Sequence, residues 1–163
     1  MKWGKVDKYV DKPPHLWITK LIGEYRHNLD PKKRLAIPAK LRKEIGEKMV
    51  VTRGLDQCLF IYPLFEWEKE AERLNSLPIG AADKRNFARL SFSGATDVEL
   101  DALGRILIPD YLKNFAGLKE KVVIVGVYKR LEIWDEEKWA EYKERMEKQT
   151  DALAEKLGEQ GAY

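Results

Sequence analysis

Residues 29–38 read LDPKKRLAIP, and residues 100–109 read LDALGRILIP. Five of the ten positions are identical, and Leu35/Ile106 is a conservative sixth. A phrase written twice in one chain marks an internal repeat, and the flanking sequence extends it. After the first copy come KMVVT (48–52), CLFIYPLFEW (58–67) and a helical stretch; after the second come KVVIVGVY (121–128), LEIWDEEKW (131–139) and another helical stretch. Tyr62 falls in register with Trp134, and Trp67 with Trp139.

Each copy therefore predicts strand, turn, strand, a short helical turn, two more strands and a helix. The β-branched and aromatic runs 35–37, 49–52, 59–62, 106–108, 122–125 and 131–134 supply the strands. Pro38 and Pro109 close theirs, because proline has no N–H for a ladder, and AKLRKEI and DYLKNF follow as short helical turns. Trp67, Ala71, Leu74 and Leu77 recur at helical spacing. Asp135 suits an N-cap, and Trp139, Tyr142 and Met146 share the face of the helix it opens. These aromatic stripes read as packing surface. ADKRNFARLSFSGA (82–95) predicts a connector helix from Asp83 to near Gly94.

A β unit of this size buries too little surface to stand alone. The expected fold is mainly β with peripheral helices, its two repeats interleaved about a pseudo-twofold axis. The organisation expected is an N-terminal extension (1–20), a first repeat (21–80), the connector helix (81–93), a second repeat (94–150) and a weakly packed tail (151–163).

The chain has 163 residues, 44% hydrophobic and 35% charged, with net charge +3. Through Gly54 it carries fourteen Lys/Arg against six Asp/Glu, a net +8, and the remainder is −5. A basic first third beside an acidic remainder points toward a polyanion partner. No apolar run reaches the roughly 18–20 residues that span a bilayer. The first twenty residues lack an apolar core for a signal peptide, so a cytoplasmic location is expected. Cys58, among apolar neighbours, predicts a buried thiol. His15 and His27 stand at no metal-ligand spacing, and no phosphate-binding glycine loop occurs. The expectation is therefore no catalysis, metal, cofactor or small-molecule substrate. No basic amphipathic helix offers a membrane-binding face.

The second copy serves as a control for the first. Asp30/Asp101 and Arg34/Arg105 occur in both, four apart across a turn, where the aspartate can accept turn N–H groups and hold the arginine. That shared frame, Gly104 included, reads as structural. What differs is Pro31-Lys32-Lys33 against Ala102-Leu103-Gly104. Lys32, Lys33 and Arg34, with Arg26 nearby in sequence, are the candidate polyanion-binding residues, because cations on a rigid hairpin suit phosphate capture and base-edge contact; a merely solvated turn is the alternative. Gly104 suggests a positive φ at its position. Lys33 occupies the matching place at a cost on the order of 1 kcal/mol, so either the first turn differs or Lys33 tolerates the strain.

With its D-x-x-x-R hairpins Asp30–Arg34 and Asp101–Arg105, and the segments CLFIYPLFEW, SFSGATDVELDALGRILIP and GVYKRLEIWDEEKW, the chain resembles the MraZ family of bacterial transcriptional regulators over about residues 21–150. The resemblance implies an AbrB/SpoVT-like double-split (swapped-hairpin) β-barrel formed by two internal repeats. It also implies homo-oligomeric rings, commonly octamers, associated with the nucleoid. Such rings bind short direct repeats in double-stranded DNA upstream of the division and cell-wall gene cluster and repress it, their own operon included. The family's DNA-contacting loop falls on Asp30–Arg34, where Lys32 and Arg34 match its basic positions and Lys33 replaces the usual glycine. Residues 1–20 lie outside the family's pattern. A ring-forming scaffold with incidental nucleic-acid affinity is the rival expectation.

Overall fold

In the computed structural model of the chain, which describes residues 20–78 and 80–162, the first repeat runs β1 (Leu21–Asn28), β2 (Arg34–Ala36), α1 (Ala39–Ile45), β3 (Lys48–Arg53), β4 (Leu59–Pro63) and α2 (Leu64–Asn75). The connector α3 (Ala82–Gly94) follows. The second repeat takes the same order: β5 (Thr96–Glu99), β6 (Arg105–Leu107), α4 (Asp110–Ala116), β7 (Lys121–Tyr128), β8 (Leu131–Asp135) and α5 (Glu136–Glu147). A last helix, α6 (Thr150–Glu159), buries no residue. The expected N-terminal extension, apart from Lys20, lies outside the described residues.

Pairing between strands makes the two repeats one fold. Six antiparallel strands form a sheet in the order β1-β7-β8-β4-β3-β5, and β2 and β6 form a separate ribbon. Exchanging the repeats reverses this order onto itself, which is the mark of a pseudo-twofold axis. β1 pairs with β7 of the other repeat, from Leu21↔Tyr128 to Asn28↔Lys121. β5 returns the exchange by pairing with β3. The β4–β8 and β2–β6 pairs straddle the axis, with Leu35↔Ile106 at the centre of the ribbon. Each repeat thus lends its leading hairpin to the other. The fold is mainly β with peripheral helices, and the interleaving matches the swapped-hairpin barrel. The described ladder runs open from β1 to β5 rather than closing on itself.

Alternation along the strands builds two cores. Leu21, Leu35, Ile37, Ile106, Ile108, Val122 and Ile124 point into the main one, joined by Leu41 and Ile45 of α1 and Leu112 and Ala116 of α4. The other face of β7 and β8 offers Val123, Val125 and Trp134 to α5, with Cys58 buried beside them. Burial pushes the Cys58 thiol up, so it stays protonated at neutral pH. Trp139 and Tyr142 stack on each other and on Trp134 at centroid distances of 4.9–5.9 Å. Asp135 caps α5, accepting from the backbone N–H groups of Glu137 (3.2 Å) and Lys138 (3.4 Å). In the first repeat Trp67 sits between Tyr62 and Phe92 of the connector.

Candidate nucleic-acid interface

The two D-x-x-x-R turns have the same internal wiring. Asp30 N–H donates to the Arg34 carbonyl at 3.0 Å, and Lys33 N–H donates to the Asp30 carbonyl at 2.8 Å. The Asp30 carboxylate accepts the Arg34 N–H at 2.8 Å and the Arg34 Nε at 2.6 Å. In the second turn the corresponding distances are 2.8, 3.0, 2.9 and 2.8 Å. The arginine backbone N–H, then its guanidinium, hold both aspartates below the usual carboxylate range. Each stays charged at neutral pH and acts as a brace. Because the brace engages Nε, the terminal nitrogens of Arg34 keep their donors free of hydrogen bonds to described residues.

Lys33 has φ 60° and Gly104 φ 74°, so the first turn does not differ: Lys33 adopts the left-handed conformation. Cross-links between the repeats hold it there. Ile108 N–H donates to the Lys33 carbonyl at 2.8 Å, and Ile37 N–H to the Gly104 carbonyl at 2.9 Å. A testable consequence is that Lys33→Gly unfolds at higher urea than Lys33→Ala, by about 1 kcal/mol, since both lose the side chain but glycine alone relieves the strain. Equal stabilities would mean the turn relaxes without cost.

The structure separates some of the expected residues and adds others. Lys32 stands exposed at the tip of its turn; its backbone N–H bonds the Asp30 carboxylate, and its ammonium makes no hydrogen bond or ion pair to a described residue. Lys33, half-buried, forms an ion pair with Asp110 of α4. Arg34 lies on the outward side of the ribbon, a third exposed, opposite Leu107. Arg26 does not join them. Strand alternation sends Tyr25 and Leu29 to the main core and Arg26 to the opposite face, over α5 and 3.9 Å from Glu136.

The swap also redistributes the helix cations. Arg42 of α1, near the first turn in sequence, donates Nε to the Ile37 carbonyl at 2.8 Å and lies across Gly104 of the second turn, leaving no room there for a Cβ. His27 sits by Arg42, and burial and that positive charge push its pKa down. The first turn instead gains Lys113 and Lys119 from the second repeat, the Lys119 ammonium donating to Glu137 at 3.0 Å. With Asn28, Asp30, Pro31 and Lys33 they border an open cleft of about 620 Å³. Lys113 holds in α4 the place Arg42 holds in α1. The signal that could have found it was the repeat itself: once the hairpins exchange, each short helix serves the other copy's turn.

An exposed lysine beside a braced guanidinium can meet a phosphate and a base edge together. Among the described residues no group of His, Cys, Asp and Glu could hold a metal ion, and no helix is long and apolar enough to cross a membrane.

A family model described as "MraZ protein, putative antitoxin-like" matches residues 21–90 and again 91–159. A protein of Clostridium beijerinckii named "Transcriptional regulator MraZ" is 51% identical over 140 residues, covering 86% of this chain and 98% of its own. Proteins of the same name from Moorella thermoacetica and Symbiobacterium thermophilum are 51% identical over 136 residues and 50% over 137. They cover 83% and 84% of this chain and 95% and 99% of their own.

Proposed function

The chain belongs to the MraZ family, and from that premise we propose that it is a sequence-specific DNA-binding transcriptional regulator, working in the cytoplasm at the nucleoid as a ring of identical subunits. On the family's pattern the ring has eight subunits and represses the division and cell-wall gene cluster with its own operon. One observation carries the reading. The Asp30–Arg34 turn presents Lys32 free in solvent beside a guanidinium that Asp30 holds by Nε alone.

In this reading Lys32 meets the phosphate backbone and sets register, while the terminal nitrogens of Arg34 pair with O6 and N7 of a guanine. Lys113 adds positive potential along the adjoining cleft. One turn offers too few cations for tight binding. Several turns of one ring, engaging successive direct repeats, raise affinity without new contacts when repeat spacing matches turn spacing. The second turn supports the ring: Leu103 stands where the first has Lys32 and is 66% exposed, an apolar tip suited to a neighbouring subunit.

The test is selection of bound duplexes from a random library, followed by titration of the selected duplex and a scrambled one at fixed salt. The reading expects a short motif enriched in direct repetition and much weaker binding to the scrambled duplex. Equal, weak binding to both would favour a ring-forming scaffold with incidental nucleic-acid affinity.

A further inference from the structure

We propose that Asp110 is a specificity-determining residue of this interface, an internal counter-anion that occupies Lys33 in the free protein and suppresses attachment to DNA of arbitrary sequence. The inference rests on the DNA-binding reading above. Lys33 is fixed at φ 60° with its N–H and carbonyl both hydrogen-bonded, so only its flexible stem can move. That stem places the ammonium on the Asp110 carboxylate. Asp110 belongs to the other repeat and reaches the turn because Ile108, two residues before it, is bonded to the Lys33 carbonyl.

The internal twin shows that the fold does not need this pair. The equivalent places hold Gly104 and Ala39, neither of which carries a charge. An ion pair therefore joins the repeats at the cationic turn and is missing at its counterpart. The Asp110 side chain is 68% exposed and that of Lys33 37%. A pair this open contributes little to stability and exchanges readily for another anion.

A DNA phosphate is such an anion. While the pair is closed, one of the turn's three adjacent cations is neutralised and a carboxylate stands beside the path of the backbone. Every engaged turn must break the pair or bind without Lys33. This cost falls on the sequence-independent electrostatic part of binding. The selected duplex, held by the base-edge contact of Arg34, binds without recruiting Lys33, whereas a duplex of arbitrary sequence has only its phosphate contacts to offer, so the cost weighs more on the second and the ratio of specific to non-specific affinity rises.

The experiment compares the full-length protein with Asp110→Asn, Lys33→Ala and the double variant. Each is titrated by gel shift, across a series of salt concentrations, with the library-selected duplex and a scrambled duplex of equal length. Thermal unfolding of each variant confirms that it is folded. Asp110→Asn is expected to tighten binding to the scrambled duplex roughly three- to tenfold and to steepen the salt slope by about 1 per engaged turn. The selected-to-scrambled ratio falls accordingly. In the Lys33→Ala background the same substitution should have little effect. The proposal is overturned if Asp110→Asn leaves binding to the scrambled duplex unchanged or weaker. It is also overturned if the gain persists without Lys33, since Asp110 would then act only as general surface charge. If the unsubstituted protein binds neither duplex, the DNA-binding reading itself falls and this proposal with it, a result visible before any variant is compared.

Discussion

Arg34→Ala removes discrimination between the selected duplex and its scrambled counterpart while the fold stands. A bidentate pair to a guanine edge contributes about 1–3 kcal/mol of discrimination, roughly 5- to 150-fold per engaged turn, and the losses compound when several turns bind one operator. The brace explains why lysine would not substitute. Asp30 takes Nε at 2.6 Å and orients a planar fork, whereas an ammonium is a point charge without that geometry. Arg105→Ala is the matched control, because Arg105 makes the same bonds to Asp101. It should cost similar stability and leave the selected-to-scrambled ratio near its original value. Equal loss of selectivity in both variants would assign recognition to both turns, and an unchanged ratio in Arg34→Ala would defeat the assignment.

The repeated phrase made the order of elements legible, and the reason is physical. Leu, Asp, Arg, Ile and Pro recur because two apolar positions must face one core, an aspartate must brace the turn, and a proline must end the strand. Gly104 likewise announced the positive φ that Lys33 shares. The partner of each strand was less legible. Periodicity says which residues alternate, but it does not say that β1 will pair with β7 instead of a strand of its own repeat. The positions of the helix cations follow from that gap. Arg42 is near the first turn in sequence and lies on the second, and Lys113 is remote from the first turn in sequence and borders it. Arg26 stands apart from the turn for a simpler reason: within β1 it occupies the parity that faces α5.

If interleaving creates the fold, a chain divided between the repeats yields two halves that fold only together. A fragment covering residues 20–80 keeps the β3–β4 pair but loses the strand that pairs with β1, which is β7, and the strand that pairs with β2, which is β6. It would expose Leu21, Leu35 and Ile37, which are fully buried in the intact chain. A two-stranded hairpin with such a face is marginal at best in water. The fragment covering residues 81–162 is left equally short, since β5 bonds only to β3. Neither half should show a cooperative thermal transition by circular dichroism, and mixing them should restore one and yield a one-to-one complex. Self-pairing of the first half is the serious competitor, because pseudo-symmetry lets a second copy stand in for the missing repeat. Gly126 argues against it. At this position β7 passes so close to the backbone of Leu21 and Ile22 that an added Cβ would lie 2.6 Å from it. The register with β8 and β4 puts Arg53 in the equivalent place of β3. β5 is shorter and stops at Val51, so in the intact protein Arg53 never meets that crossing. A first-half homodimer would have to fit an arginine where glycine alone passes, whereas the mixed pair has no such conflict. Cooperative unfolding of the first half as its own dimer would therefore show that this close crossing does not enforce the exchange.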